Sequence, residues 1–144
     1  MKLKCLTACL ILFLAIPCIA LGAVSQWKTA NQVTLQWKPA TTLVDGTPLP
    51  AGYSVVYKVF IKSDGSTATP TEVATVTAAQ ATITFTSEGR YVLGIQTIRL
   101  DSSGAVVSEA PISWSDDPAL VRNGVTFGAM YFIAPSQASE IEPL

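Results

Sequence analysis

The sequence of 144 residues contains no histidine and few charged residues. Without histidine the chain cannot form a Ser–His or Cys–His nucleophile pair, and no imidazole can bind a metal or haem. Nine Lys+Arg against ten Asp+Glu give a net charge of -1, which provides no electrostatic basis for binding nucleic acid. Gly-rich phosphate loops and the G-x-S-x-G motif are also absent. We therefore expect no catalytic residue, no cofactor, no metal site and no nucleic-acid partner.

Cysteine is confined to the amino-terminal segment, at Cys5, Cys9 and Cys18, where we interpret it as apolar filler. The chain beyond this segment has no cysteine, so no disulfide can hold it. It must be stabilised by a hydrophobic core, and its length is sufficient for one domain with such a core.

The amino-terminal segment has the order of a secretory signal peptide. A basic start at Lys2 and Lys4 precedes an apolar run over residues 6–16, and small residues follow. We predict a signal peptide over residues 1–23 with cleavage after Ala23, and Ala20 and Gly22 are the alternative sites. The mature protein would be exported to the periplasm, the cell surface or the extracellular space.

Two other interpretations of this segment remain. It could stay uncleaved as a membrane anchor, because no charge lies between Lys4 and Lys28 and the run could cross ~30 Å of hydrocarbon. It could also belong to a lipoprotein acylated at Cys18, although Pro17 stands where such sites carry a small residue. Pro17 favours cleavage over an anchor, so we expect membrane contact only during export unless the segment is retained.

The remaining chain alternates apolar and polar residues with a period of two and shows no sustained helical period. This alternation predicts strands at residues 33–37, 53–61, 73–76, 81–85 and 91–97. Turn-forming pairs such as Asp45-Gly46 and Asp64-Gly65 separate them. Short strands with regularly spaced turns predict an all-β, two-sheet sandwich of about seven strands over residues 24–118, with an extension over 119–144.

Four short motifs follow one another at characteristic spacings: VTLQW at 33–37, DGTPL at 45–49, GYSV at 52–55 and YVLGI at 91–95. Together they resemble the fibronectin type III domain of bacterial exported proteins over residues 30–115. The resemblance implies an immunoglobulin-like sandwich in which Trp37, Phe85 and Tyr91 are structural core residues. It also implies that the Tyr91 hydroxyl bonds back to the backbone near the preceding turn.

The apolar run VTFGAMYFIA at 125–134 lies beyond the seven strands of that family. It predicts an extra carboxy-terminal strand that pairs either within the domain or with another molecule. The candidate partner-binding residues are Val125, Phe127, Met130, Tyr131 and Phe132. The strand at 53–61 has apolar side chains on both faces, so either this tail strand or a partner should cover its outer face.

Acidic residues are the only other candidates for catalysis or metal binding. Five aspartates (Asp45, Asp64, Asp101, Asp116 and Asp117) stand in turn contexts, and we interpret them as turn caps rather than calcium ligands. A hydrolase acting with carboxylates alone would need two of Glu72, Glu88 and Glu109 in a shared cleft. Nothing in the sequence places them together.

These patterns favour a non-enzymatic, exported module that contacts a protein partner, or copies of itself, at the bacterial cell envelope or in a surface assembly. The alternative is a carbohydrate-binding β-sandwich, which requires exposed tryptophan or tyrosine rings in a planar row. The candidate rings are those of Trp27, Tyr57, Phe60, Trp114, Tyr131 and Phe132.

Overall fold

The computed structural model describes residues 23–135, so the predicted signal peptide before Ala23 and residues 136–144 lie outside the described residues. A single 3₁₀ turn occupies Arg122–Gly124, and no helix between residues 23 and 135 has the length and apolarity needed to cross a bilayer. This part of the chain forms nine strands: β1 Gln26–Thr29, β2 Gln32–Gln36, β3 Ser54–Ser63, β4 Thr71–Val76, β5 Gln80–Thr84, β6 Gly89–Leu100, β7 Val106–Glu109, β8 Ser113–Trp114 and β9 Phe127–Tyr131.

The strands form two sheets, which confirms the all-β, two-sheet prediction. The larger sheet has the order β1-β9-β6-β3-β4, with β7 and β8 also paired to β6, and the smaller sheet consists of β2 and β5. The sequence predicted β2 to β6 to within a few residues at each end. It missed β1 and β7, which are short and lack an alternating apolar pattern.

The core lies between the two sheets. In the smaller sheet, buried apolar residues alternate with exposed Gln and Thr along both strands, as expected for a sheet with one solvated face. The smaller sheet contributes four residues to the buried core cluster: Val33, Leu35, Ala81 and Ile83. Phe85, directly after β5, also belongs to it, and the larger sheet contributes Val59, Leu93 and Ala129. Burial of each large apolar side chain contributes roughly 1.5–3 kcal/mol before the loss of conformational entropy.

Strand β6 organises the larger sheet. One of its edges pairs with β3 over ten residues, and the other edge is divided among β7, β8 and β9. Ser115 joins the last two segments: its N–H donates to the Leu93 carbonyl at 2.8 Å, and its carbonyl accepts from the N–H of Phe127 at 3.0 Å. The chain therefore leaves the sheet after Ser115 and returns at Phe127, and we call residues 116–126 the excursion.

The predicted tail strand is part of the larger sheet. Strand β9 pairs antiparallel with β6 and parallel with β1, so both of its edges are paired within the chain. It lies in the plane of the sheet and leaves the outer face of β3 uncovered.

Two tryptophans pack on the outer face of the larger sheet, each against a glycine of β6 or β9. A Cβ atom added at Gly94 would lie 2.7 Å from the ring of Trp114, and one added at Gly128 would lie 2.6 Å from the ring of Trp27. Since Leu93 and Ala129 point into the core, the neighbouring glycines face outward, and so do the two rings. The absence of side chains at Gly94 and Gly128 allows these rings to lie directly on the backbone of the sheet.

Candidate functional site

The three predicted core residues lie at the two ends of the sandwich. Trp37 packs edge-on against Tyr57 with ring centroids 5.3 Å apart, and Phe85 stacks on Tyr91 at 4.9 Å. The hydroxyl of Tyr91 donates a 2.8 Å hydrogen bond to the carbonyl of Ser87, in the turn between β5 and β6. This contact fixes the turn to the strand that follows it.

The five candidate partner-binding residues occupy different environments. Phe127 and Tyr131 are half-buried against the core, and Met130 is half-buried in β9. Val125 and Phe132 lie outside β9 and are 41% and 54% exposed. The pairing of β9 with β1 and β6 occupies the backbone groups that an added strand would need, so strand pairing with a partner must use another edge.

An open cleft of about 770 Å³ lies beside β2, between the two sheets. One part of its wall is formed by residues 35–38, at and just beyond the end of β2. The rest comes from the inward side of β6 around Ile95 and Thr97, from β8, and from residues 120–122 of the excursion. Phe127 closes the end where β9 begins.

The cleft follows the edge of β2 rather than one of its faces. Successive side chains of a strand point to opposite faces, yet Leu35, Gln36, Trp37 and Lys38 all line the cleft. A cavity that touches four consecutive residues must run along their backbone. Strand β2 pairs only with β5 among the described residues, so this edge carries no partner strand there.

The cleft exists because β1 joins the larger sheet. The chain passes from β1 to β2 through Ala30 and Asn31, but β1 pairs with β9 and leaves the smaller sheet with two strands. Beyond buried Leu93, the inward-facing residues Ile95 and Thr97 of β6 are therefore only half-buried. The missing third strand of the smaller sheet is the space that the cleft occupies.

The charges around the cleft have one sign. Among residues 23–135, Lys38 and Arg122 are the only charged residues that line it, and both side chains are exposed. The two salt bridges found between residues 23 and 135 lie elsewhere, joining Lys58 to Glu72 and Lys62 to Asp116. The cleft is thus a local basic site in a chain with more acidic than basic residues.

Four of the five aspartates make local contacts, three as turn caps and one in an ion pair. The hydroxyl and N–H of Thr47 donate to Asp45, and these bonds hold the pKa of its carboxyl below the ordinary value. Asp101 accepts from the hydroxyl and N–H of Ser103 and from the N–H of Ala105, which lowers its pKa in the same way. Asp117 caps the turn at Ala119, whereas Asp116 departs from the turn-cap interpretation and forms its ion pair with Lys62.

No part of residues 23–135 brings together three or more acidic or thiol ligands that could hold a metal ion. Glu72 lies on β4, Glu88 precedes β6, and Glu109 lies on β7. Glu72 pairs with Lys58, and Glu88 accepts a hydrogen bond from the N–H of Ile133. These carboxylates therefore act in separate local contacts.

Each of the two outer-face tryptophan rings has a cationic side chain lying over it. The ammonium of Lys62 lies 4.3 Å from the ring centroid of Trp114, and the guanidinium of Arg90 lies 5.3 Å from that of Trp27. Each ring thus contacts a glycine and also carries a cation–π partner. A sugar could stack on these rings only by displacing the cations, which disfavours a carbohydrate platform at this face.

Comparison with protein-family models, with curated proteins and with solved structures finds no match to the chain. The cleft is therefore interpreted from its own geometry. The sequence singled out Phe127 as a candidate partner-binding residue but did not predict the cleft, since Leu35 and Trp37 read as core positions and Arg122 stood in an unassigned loop. The local sequence contains no signal for the cleft, which results from the pairing of β1 with a strand about one hundred residues away.

Proposed function

We propose that the chain is a non-enzymatic, exported binding module of a bacterial cell envelope and that it contacts a protein partner through the cleft beside β2. The single observation that carries this proposal is an edge of β2 that has no partner strand among residues 23–135 and borders an open cleft of about 770 Å³. Unpaired edges attract other chains, and stable monomers usually cover or charge them. A protein that leaves one open beside a partly apolar cleft has a surface suited to a partner.

We further propose that the sandwich is of the immunoglobulin-like, fibronectin type III kind. Support comes from the position of β2 and β5 opposite β3 and β6, and from the bond between Tyr91 and Ser87. The placement of β1 beside β9 departs from a sandwich in which the first two strands pair. This departure opens the cleft, so the proposed binding surface would distinguish the chain from other domains of that kind.

Site-specific photo-crosslinking tests the proposed function in cells that naturally produce the protein. A photoreactive residue at Leu120, which is 56% exposed and lines the cleft, is expected to give a discrete protein adduct. The same residue at Val44, which is fully exposed in the loop after β2, is the control and should give none. Equal labelling at both positions, or no adduct at Leu120, would contradict the proposal.

A further inference from the structure

The free edge of β2 presents backbone groups in the pattern needed for an added strand. The N–H of Trp37 donates to the carbonyl of Ala79 at 3.0 Å, which fixes the ladder to β5 at the odd-numbered residues of β2. Backbone groups alternate between the two edges of a strand, so those of Thr34 and Gln36 point away from β5. They face the side where the cleft lies.

We infer that this edge takes up an extended, acidic segment of a partner protein as a third strand of the smaller sheet. The inference rests on the proposed function and specifies its partner. Side chains of an added strand alternate between the two faces of the sheet, so every second one would enter the cleft beside Leu35 and Ile95. Main-chain hydrogen bonds to β2 would fix the register of the added strand, and the cleft would favour apolar side chains at the positions that enter it.

Charge complementarity indicates that the segment is acidic. Lys38 lies two residues beyond the end of β2 and Arg122 lies in the excursion, and no acidic residue among residues 23–135 lines the cleft. A segment with carboxylates would neutralise both, whereas a basic segment would be repelled. Since Lys38 and Arg122 are exposed, their attraction is screened by salt, and binding should weaken as ionic strength rises.

A synthetic peptide with alternating valine and glutamate, acetyl-TVEVEVT-amide, is a suitable probe. Binding to the full chain can be followed by calorimetry and by amide chemical shifts of Thr34 and Gln36. We expect this peptide to bind about tenfold or more tightly than versions with lysine or glutamine in place of glutamate. Lys38→Glu and Arg122→Glu should each remove that preference while leaving the thermal transition unchanged.

Proline substitution separates strand addition from other binding modes. Gln36→Pro removes an N–H that points to the free edge, so the ladder with β5 stays intact and the fold should tolerate the change. Thr82→Pro is the matched control, because the N–H of Thr82 points away from β2 at the opposite edge of the same sheet. We expect Gln36→Pro to abolish peptide binding and Thr82→Pro to preserve it in variants with native circular dichroism.

Three outcomes would overturn the inference. The glutamate peptide could bind no more tightly than its controls, or Gln36→Pro could have no more effect than Thr82→Pro. The chain could also self-associate through β2, which would make a second copy the occupant. If the adduct at Leu120 forms in cells but is insensitive to Gln36→Pro, strand addition fails while the proposed function survives. If no adduct forms, the proposed function fails as well.

Discussion

Ser25 donates two hydrogen bonds to Thr126 across 101 residues of sequence. The N–H of Ser25 donates to the hydroxyl oxygen of Thr126 at 2.9 Å, and the Ser25 hydroxyl donates to the Thr126 carbonyl at 2.6 Å. Thr126 is 4% exposed, so its polar atoms have little access to water. The pair locks the start of β1 to the start of β9, and thereby maintains the strand placement that leaves one edge of β2 without a partner strand among residues 23–135.

This lock predicts a stability loss for Thr126→Val. The substitution keeps the shape of the side chain but leaves the N–H of Ser25 without its acceptor, which should cost about 1–3 kcal/mol of unfolding free energy. Thr29→Val is the control, because Thr29 lies exposed on the same strand β1. Urea denaturation measures both, and equal effects of the two substitutions would show that Thr126 has no special role.

The same threonine bears on the predicted signal cleavage site. Its hydroxyl lies 2.8 Å from the carbonyl of Ala23, to which it donates. Signal cleavage after Ala23 would remove that acceptor, whereas cleavage after Ala20 or Gly22 would retain it. A chain that begins at Ala23 should therefore unfold at higher denaturant concentration than one that begins at Val24, by about 1 kcal/mol of free energy. Indistinguishable midpoints would remove this argument against cleavage after Ala23.

The two glycines beneath the tryptophans predict that alanine at either position destabilises the fold, and they predict which of the two substitutions costs more. A Cβ at Gly128 would lie 2.6 Å from the ring of Trp27 and 2.9 Å from the backbone oxygen of Tyr91, whereas one at Gly94 would meet only the side chains of Trp114 and Ile112, at 2.7 Å. Side chains can shift and backbone cannot, so Gly128→Ala should destabilise more than Gly94→Ala. We expect losses of about 1–3 kcal/mol for Gly94→Ala and the same or more for Gly128→Ala, measured by thermal denaturation.

A double substitution controls for the origin of that effect. If overpacking against the ring causes the loss at Gly94, then Gly94→Ala should cost less in a Trp114→Leu background, because the smaller side chain leaves room for the methyl group. Additive losses would instead show that the ring of Trp114 does not cause the loss at Gly94.

The sequence predicts those strands that have a regular local pattern of apolar and polar residues, and it does not predict pairings between strands that are remote in sequence. Strands β2 and β5 alternate apolar and polar residues so regularly that their period, faces and bounds could be predicted within one residue. Strand β1 has Trp27 as its single large apolar residue, and its partner β9 is remote in sequence, so nothing local marked it. The run at 125–134 was predicted as a strand, but its position between β1 and β6 is a long-range choice.

The cleft could not be predicted for the same reason. Its residues have ordinary local patterns, and its existence depends on which sheet β1 joins. The sequence predicted that some group packs on the outer face of the larger sheet, because β3 has apolar side chains on both of its faces. What covers it was not foreseen, because the contacts of Trp114 with Gly94 and Lys62 link three elements that are distant in sequence.

Tyr91 provides a test of the turn that joins β5 to β6. Tyr91→Phe removes the 2.8 Å bond to the Ser87 carbonyl while preserving the stacking on Phe85, and should cost about 0.5–1.5 kcal/mol of unfolding free energy. Tyr53→Phe is the matched control, because the Tyr53 hydroxyl has no hydrogen-bond partner among residues 23–135 and lies at the exposed start of β3. A loss of the same size at both positions would exclude a specific contribution from the Tyr91 hydroxyl.

The lowered pKa of Asp101 predicts that the stabilisation from this residue is lost in acid. The hydroxyl of Ser103, together with the N–H groups of Ala105 and Ser103, lowers the pKa of its carboxyl below the ordinary value of 3.8. Because the folded-state pKa is the lower one, the contribution to stability is complete above the unfolded-state pKa and is lost as pH falls through the folded-state value. Asp101→Asn keeps a side-chain oxygen for the turn but removes the titrating charge.

We therefore expect the variant to be less stable than the natural protein at neutral pH, with the difference shrinking as the pH falls through the lowered pKa of Asp101. Urea denaturation at a series of pH values measures the difference directly, and carbon-detected NMR titration of the Asp101 carboxyl checks its cause. Asp45 has the same kind of turn with Thr47, so Asp45→Asn should show the same trend. A difference that stays constant with pH would mean that the loss at Asp101 comes from turn geometry and not from the charge.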